Sequence, residues 1–177
     1  MPRSDRKLTI DELDRVPVDG YRPRTKVVVV LDDVRSRHNV GSIFRSADSF
    51  GVEHIDLCGF TPCPPHREIE KTALGATLSV PWKHHADVLA CLQDLKARGY
   101  RVLAIEQTSM AMPMEDLVIG AEEPVALVFG NELSGVSDQV IDLSDQCVVI
   151  PQFGSKHSLN VSVCAGIVMW WFAGRDR

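Results

Sequence analysis

The sequence predicts an α/β fold with a mostly parallel sheet and helices on both faces. From residue 26 onward, short aliphatic runs alternate with helical patterns, which is typical of strands joined by crossover helices. The runs are continuously apolar instead of alternating, as expected for strands covered on both faces. The chain has 177 residues, of which 45% are hydrophobic. This length fits one domain that needs no disulfide or metal to fold.

The elements follow in order. The first strand is predicted at residues 27–31, which are five consecutive aliphatics. Asn39 is a candidate N-cap for the next helix, and Gly51 is its stop signal. A further amphipathic helix at residues 86–98 closes at Gly99. The remaining predicted strands lie at residues 55–58, 102–105, 125–129 and 148–150, and the remaining helices at residues 68–74 and 158–172.

Residues 1–25 are predicted to form a partly basic arm in front of a single domain at residues 26–177. Residues 1–26 carry seven Lys or Arg and five Asp or Glu, a net charge of +2, whereas the rest of the chain carries −7. One short helix is expected around residues 10–15. The overall charge of −5 argues against an extensive basic surface for nucleic acid, but a local basic site remains open.

Composition also narrows the cellular setting. The longest strongly apolar run, residues 163–173, is too short for a membrane span, which takes about 20 residues. The polar start of the chain predicts no signal peptide. Five irregularly spaced cysteines predict reduced thiols in the cytoplasm. Cys63, His66, His84 and His85 lack paired metal-ligand spacing, so no metal site is expected.

Parallel sheets bind ligands beyond the carboxyl ends of their strands. The loops after residues 31, 105, 129 and 150 carry polar side chains, and three of the four also carry glycine. Each loop alone is compatible with ordinary turn chemistry, but together they favour a small-molecule site. Neither the dinucleotide-binding glycine motif nor the phosphate-binding P-loop is present, which argues against NAD dehydrogenases and P-loop ATPases. No G-x-S-x-G hydrolase motif occurs.

Three segments of these loops resemble the motifs of the SpoU (TrmH) family of RNA ribose 2′-O-methyltransferases, within the SPOUT superfamily. The first is Asn39-x-Gly41-x-x-x-Arg45-x-Ala47. The second, LVFGNE, occupies residues 127–132, and the third occupies residues 150–163, with IPxxG followed by SLNVSV. The motifs occur in the family's order, and the resemblance covers the chain from about residue 26 onward.

The resemblance implies a deep trefoil knot in the C-terminal part and S-adenosyl-L-methionine as cofactor. Residue-by-residue matching implies a cofactor site lined by Thr108, Gly130, Ile150, Ser158 and Leu159. It also implies a homodimer with sites at the interface. The final helix is apolar almost all round, which fits burial by a partner as well as burial within one subunit.

The same matching implies catalytic roles for Arg45, Asn39, Glu132, Ser158 and Asn160. Because a guanidinium holds its proton firmly, Arg45 is interpreted first as a clamp that binds phosphate and aligns the ribose hydroxyl, with a role as base as the alternative. The two asparagines are expected to orient Arg45 and the ribose. Glu132 is expected to fix loops or to pair with a basic group. The ordinary alternatives are helix caps at Asn39 and Ser158 and surface positions for Arg45 and Glu132.

An RNA substrate is implied, with tRNA preferred over rRNA because the arm is too short for a separate RNA-binding domain. Leu133 and Gln152 depart from the family pattern and leave the subgroup open. Two alternatives remain: a non-catalytic RNA-binding protein on the same fold, and an unrelated doubly wound nucleotide-binding enzyme. The candidate RNA-binding residues are Arg22, Arg24, Arg35, Arg37 and Arg45.

Overall fold

A computed structural model describes residues 20–120, 122–156 and 158–174. It contains one seven-stranded sheet of order β3-β2-β1-β6-β4-β7-β5, in which every pair of neighbouring strands is parallel. The predicted fold class is therefore confirmed. The arm up to residue 19, with the short helix expected at 10–15, lies outside the described residues. The strands are β1 (Val27–Asp32), β2 (His54–Cys58), β3 (Trp82–His85), β4 (Arg101–Ile105), β5 (Met112–Pro113), β6 (Val125–Phe129) and β7 (Gln146–Val149).

Helices cover both faces of the sheet, as predicted. Alternate residues of β1 point to opposite sides: Val29 belongs to a larger core with α1 and α6, and Val30 belongs to a smaller core with α4 and α5. A central strand with two buried faces has to be apolar throughout, which explains the aliphatic run of β1. The helices are α1 (Arg37–Phe50), α2 (Arg67–Ala73), α3 (Ala76–Ser79), α4 (Val88–Ala97), α5 (Asp138–Leu143) and α6 (Val161–Ala173).

The starts of two helices differ from the prediction. The N-cap of α1 is Ser36, whose hydroxyl accepts a hydrogen bond from the backbone N–H of Asn39 at 3.3 Å. The expected cap at Asn39 is therefore wrong. The helix α6 is capped by Asn160 and not by Ser158, so it begins three residues later than predicted. Ser and Asn cap helices about equally well, and residue type alone could not choose between them. The predicted stop at Gly51 is confirmed by its left-handed φ of 67°.

Four short elements were not predicted, namely α3, β3, α5 and β5. The strand β3 lies at one edge of the sheet and is mostly exposed, so it lacks the aliphatic run by which a buried strand is recognised. The strand β5 has only two residues. The strand predicted at residues 148–150 corresponds to β7, which ends at Val149, so Ile150 lies just beyond it.

The C-terminal half of the sheet departs from sequence order. The strand β6 lies between β1 and β4, and β7 lies between β4 and β5. The trefoil knot implied by the resemblance stays a prediction. No helix within the described parts of the chain is long and apolar enough to cross a membrane.

Candidate active site

A cleft of about 510 Å³ opens at the carboxyl ends of β4, β6 and β7. This is the edge where a parallel sheet is expected to bind ligands, and the volume falls within the roughly 300–1,000 Å³ typical of small-molecule sites. Apolar side chains from the strand ends lie beside backbone and polar groups of the loops. The lining includes Ile105, Glu106, Phe129, Gly130, Glu132, Ile150, Gln152, Ser158, Leu159 and Cys164.

Glu132 holds the loop between β1 and α1. Its carboxylate accepts from the backbone N–H groups of Arg35 at 2.9 Å and Ser36 at 3.0 Å, and from the side-chain amide of Asn39 at 3.0 Å. Partial burial opposes ionisation of this carboxyl, but the three donors outweigh it and lower the pKa of Glu132. The residue is therefore a hydrogen-bond acceptor that keeps its charge while joining the second motif to the first.

Asn39 extends this connection to the third motif. Its side-chain oxygen accepts from the Asn160 amide at 3.2 Å. The Asn160 oxygen in turn accepts from the backbone N–H groups of Ser162 and Val163 at the start of α6. One chain of hydrogen bonds thus joins the three motif segments. We refer to Glu132, Asn39 and Asn160 as the motif network.

Two glycines and one acidic residue hold the loop after β6 in a tight conformation. A Cβ on Gly130 would overlap the backbone of Gly135 and Val136. Gly135 has a φ of +70° and lies directly against the Glu106 carboxylate. That carboxylate accepts from the Val136 N–H at 2.9 Å, so Glu106 ties the end of β4 to this loop.

Asn131 gives the same loop its shape. Its side-chain amide donates to the carbonyl of Asp33 at 2.7 Å. Its side-chain oxygen accepts from the N–H groups of Leu133 at 2.9 Å and Ser134 at 3.2 Å. Neither Asn131 nor Glu106 was predicted to have a role, although an asparagine next to glycine and an acid directly after a strand are signals of a shaped loop.

The predicted cofactor residues separate into two groups. Gly130, Ile150, Ser158 and Leu159 line the cleft, whereas Thr108 is not among its lining residues. The carbonyl of Thr108 instead accepts from Ala111 in a turn.

Cys164 also borders the cleft. Burial and then the nearby Glu106 charge raise its pKa to about 11. The thiol is therefore protonated at neutral pH and unsuited to act as a nucleophile.

Arg45 lies on α1 with an exposed side chain. Its guanidinium has no hydrogen-bond or ion-pair partner among the described residues, and in particular neither Asn39 nor Asn160 forms a hydrogen bond with it. Asn39 and Asn160 were expected to orient Arg45, but they bind each other and Glu132 instead. Six residues of an α-helix also leave Asn39 and Arg45 about 120° apart around the axis.

The other candidate RNA-binding arginines are exposed near the ends of α1. Arg35 and Arg37 flank its N-cap, and Arg37 lies 3.8 Å from the Glu68 carboxylate. Arg24 contacts the other end, where its N–H donates to the Gly51 carbonyl at 2.9 Å. Arg22 precedes it by two residues. These arginines and Arg45 thus follow the length of one helix.

The helix α6 buries only part of its apolar surface. Ala165, Val168, Met169 and Phe172 pack into the larger core. Val163 and Trp170 remain 52% and 63% exposed. They are seven residues apart, or about two turns, and therefore lie on the same side of the helix.

The chain matches the model of the SpoU rRNA methylase family over residues 26–170. It is 28% identical over 149 residues to the tRNA (guanosine(18)-2′-O)-methyltransferase of Escherichia coli, covering 84% of this chain and 63% of that protein. The corresponding enzyme of Thermus thermophilus is 30% identical, with 84% of this chain and 75% of that protein covered.

Solved structures show the same relationship. The Aquifex aeolicus TrmH/SpoU tRNA-modifying enzyme superposes with a TM-score of 0.77 and 28% identity, covering 89% of this chain and 78% of that one. A crystal structure of an AdoMet-bound rRNA methyltransferase from Sinorhizobium meliloti also gives 0.77 and 28%, with coverages of 93% and 62%. The chain spans less than two thirds of several curated relatives: 63% of the Escherichia coli enzyme and 56% of a Staphylococcus haemolyticus protein named for the TrmH family of tRNA/rRNA methyltransferases.

Proposed function

The chain belongs to the SpoU rRNA methylase family, and from that premise we propose that it transfers a methyl group from S-adenosyl-L-methionine to a ribose 2′-hydroxyl of RNA. The observation that carries the proposal is the motif network. It joins loops from three distant parts of the chain beside one cleft. A hydrogen-bond network of this kind can position groups but does not itself react. This suits a reaction in which a cofactor supplies the reactive carbon and the protein supplies the positioning.

The cleft fits such a cofactor in size and in lining. Leu159 and Ile150 offer apolar surface, and the glycine backbone at Gly130 lets a ligand approach closely. When bound, S-adenosyl-L-methionine supplies an electrophilic methyl group on a sulfonium. Ile150, Ser158 and Leu159 would hold it together with Gly130, whereas the assignment of Thr108 rests on the resemblance alone.

Arg45 is the residue proposed to act on the substrate. An exposed guanidinium without an acidic partner among the described residues is available to bind an RNA phosphate through two parallel hydrogen bonds. The clamp would hold the 2′-hydroxyl in line with the methyl group, and a substrate phosphate would help accept the hydroxyl proton. Glu132 is a poor candidate for a base because three donors already occupy its carboxylate.

Glu132, Asn39 and Asn160 are therefore assigned to positioning. They fix the β1–α1 loop against the start of α6. Ser158 is assigned to the catalytic site from its motif match and its place in the cleft lining.

RNA would approach along α1. Phosphate contacts dominate RNA affinity, and Arg22, Arg24, Arg35 and Arg37 supply positive charge at the two ends of the helix that carries Arg45. The arm of residues 1–25 is proposed to extend this surface beyond the domain of residues 26–177. The names of the relatives favour tRNA over rRNA as substrate.

The protein is proposed to act as a cytoplasmic homodimer without membrane contact. The exposed stripe of Val163 and Trp170 on α6 supports self-association, and the free thiols support a reducing compartment. Trp170→Glu should convert a dimer to a monomer in light scattering, because it places a charge in an apolar contact. Glu122→Gln, on an exposed loop, is the matched control. A wild-type chain that is already monomeric would refute the dimer.

The function is tested with the full chain and labelled cofactor. Wild-type protein should bind S-adenosyl-L-methionine in calorimetry and methylate tRNA. Arg45→Ala should retain cofactor binding but lose transfer by roughly 10²-fold, because it removes alignment at the reacting hydroxyl. Arg98→Ala, an exposed arginine of the α4 cap, should retain both.

The outcomes separate the alternatives. Full activity of Arg45→Ala would refute the clamp. RNA binding without transfer by the wild type, to either tRNA or rRNA, would favour the non-catalytic RNA-binding protein. Absence of cofactor binding would refute the enzyme.

A further inference from the structure

A second polar cluster lies away from the cleft, on the face of the sheet covered by α4. Asp56 of β2 is only 3% exposed. One of its oxygens lies 2.9 Å from Nε2 of His85 at the end of β3. The other accepts from Sγ of Cys91 on α4 at 3.6 Å. One ligand atom from each of these three residues lies within 4.8 Å of the other two.

The strand register explains this placement. Residues 54, 56 and 58 of β2 share one face, and His85 pairs with Cys58 across the two strands. Cys91 belongs to the buried side of α4 together with Leu92 and Leu95. Three elements thus bring a nitrogen, an oxygen and a sulfur donor to one point at the margin of the smaller apolar core. Asp56 and Cys91 are buried there and His85 is partly exposed, and buried polar groups are costly unless they have partners.

We propose that Asp56, His85 and Cys91 form a binding site for Zn²⁺ or a similar divalent transition metal. A thiolate, an imidazole and a carboxylate are the ligand types that zinc prefers. In a tetrahedral site with bonds of about 2.0–2.3 Å, ligand atoms lie about 3.3–3.6 Å apart. The Cys91–Asp56 separation of 3.6 Å matches this spacing, but it runs to one Asp56 oxygen whereas the 2.9 Å contact of His85 runs to the other. A rotation of the Asp56 carboxylate therefore has to bring one oxygen into position between the two other ligand atoms, which already lie within 4.8 Å of it.

Metal binding replaces protons that the three groups now share. The Cys91 thiol loses its proton to solvent and its sulfur forms a bond to the metal. The proton that His85 Nε2 holds against the Asp56 carboxylate is exchanged through solvent to Nδ1, so that the neutral imidazole binds through the Nε2 lone pair. Together with the Asp56 carboxylate, the thiolate balances the two positive charges, and water completes four-coordination.

His54 supplies an orienting contact of the kind found around metal ligands. Its Nε2 lies 3.3 Å from the second Asp56 oxygen, and its Nδ1 lies 3.7 Å from Glu53. An imidazole between two carboxylates holds both in place, and contacts of this type tune metal affinity.

No short sequence motif marks this site. Of Cys63, His66, His84 and His85, whose spacing predicted no metal site, only His85 is a ligand here. The three ligands come from two strands and a helix and are separated by 29 and 6 residues, so no short motif contains them.

The experiment uses the full chain, stripped with a chelator and titrated with Co²⁺ and then Zn²⁺. One equivalent of Co²⁺ should give a thiolate charge-transfer absorbance that Zn²⁺ displaces, and Zn²⁺ should raise the Tm. Cys91→Ser should abolish the charge-transfer band, and His85→Gln should weaken binding at least tenfold.

The neighbouring His84→Gln and the separate Cys63→Ser are the matched controls and should leave binding unchanged. Circular dichroism establishes that each variant is folded. If Cys91→Ser does not fold, the partly exposed His85→Gln decides by itself. Absence of a charge-transfer band in the wild type, or binding equal to wild type in His85→Gln, would overturn the proposal.

Discussion

Two loops that border the cleft are held very differently. The loop after β6, residues 130–135, is fixed by Asn131, Glu132 and Glu106 through hydrogen bonds that join it to two other parts of the chain, the β1–α1 loop and the end of β4. The loop after β7 contributes Gln152, Ser158 and Leu159 to the same cleft. Residues 151–156, 158 and 159 make no hydrogen bond to the other described residues, and Phe153 is 97% exposed.

The difference separates two tasks that a cofactor site has to combine. A wall held by hydrogen bonds and close backbone contacts fixes where a ligand lies, because its geometry is set before the ligand arrives. A wall without such contacts leaves a route into the cleft. The first wall should therefore respond strongly to substitution and the second weakly.

The largest effect is expected at the fixed wall, for Gly130→Ala. The added methyl group would overlap the backbone of Gly135 and Val136, and backbone cannot move aside as a flexible side chain can. We expect a loss of about 3 kcal/mol in unfolding free energy and at least tenfold weaker cofactor binding. Urea denaturation and calorimetry measure the two effects.

Gly154→Ala is the matched control in the other loop. Apart from its chain neighbours, no atom of the described residues lies within 4 Å of the Cβ that it would introduce, so both quantities should remain at their wild-type values. Equal losses in the two variants would show that the two loops do not differ in the way described.

A difference between central and edge strands explains how much of the site the sequence could predict. The cleft was located from loops that follow aliphatic runs, and Gly130, Ile150, Ser158 and Leu159 do line it. Those runs reveal strands because central strands have to be apolar on both faces. The edge strand β3 has no such requirement, and it was missed together with the cluster that it helps to form.

Contacts between distant residues lay beyond sequence reasoning. Glu132 was identified as a site residue, but its partners Arg35, Ser36 and Asn39 are more than 90 positions away. Asn39 was predicted to cap α1, and only the fold reveals that its side chain is used by Glu132 and Asn160. Residue type indicates hydrogen-bonding capacity, whereas the partner is chosen by tertiary structure.

An intermediate effect is expected for Glu132→Gln. The N–H groups of Arg35 and Ser36 donate to different oxygens of the Glu132 carboxylate. The glutamine amide keeps only one oxygen, so its NH2 group has to face one of these N–H donors. Because Glu132 is exposed to solvent, the loss in unfolding free energy should be modest, about 1 kcal/mol. The rate of methyl transfer should fall by a larger factor than the folding equilibrium constant does, since the substitution breaks the motif network.

The loss should also depend on pH. The folded pKa of Glu132 lies below its usual value of 4.5, so the wild-type advantage is full above the unfolded pKa and disappears as the pH falls through the folded one. The stabilities of the variant and the wild type should therefore converge only as the pH falls through this lowered folded pKa. Glu115→Gln, an exposed acid without a hydrogen-bond partner among the described residues, is the control. A difference that persists after the Glu132 carboxyl is protonated would mean that the charge of Glu132 is not what stabilises the loop.

The smallest effect is expected for Phe153→Ala in the loop after β7. A ring that is 97% exposed buries almost no apolar area, so removing it should change the unfolding free energy by less than about 0.5 kcal/mol. Urea denaturation without cofactor provides the measurement. A loss above 1 kcal/mol would require the ring to be covered in solution by a second copy of the chain or by the arm, because the described residues of this chain leave it uncovered. The second wall of the cleft would then be completed by that neighbour, and the contrast between the two loops would hold only for the isolated domain.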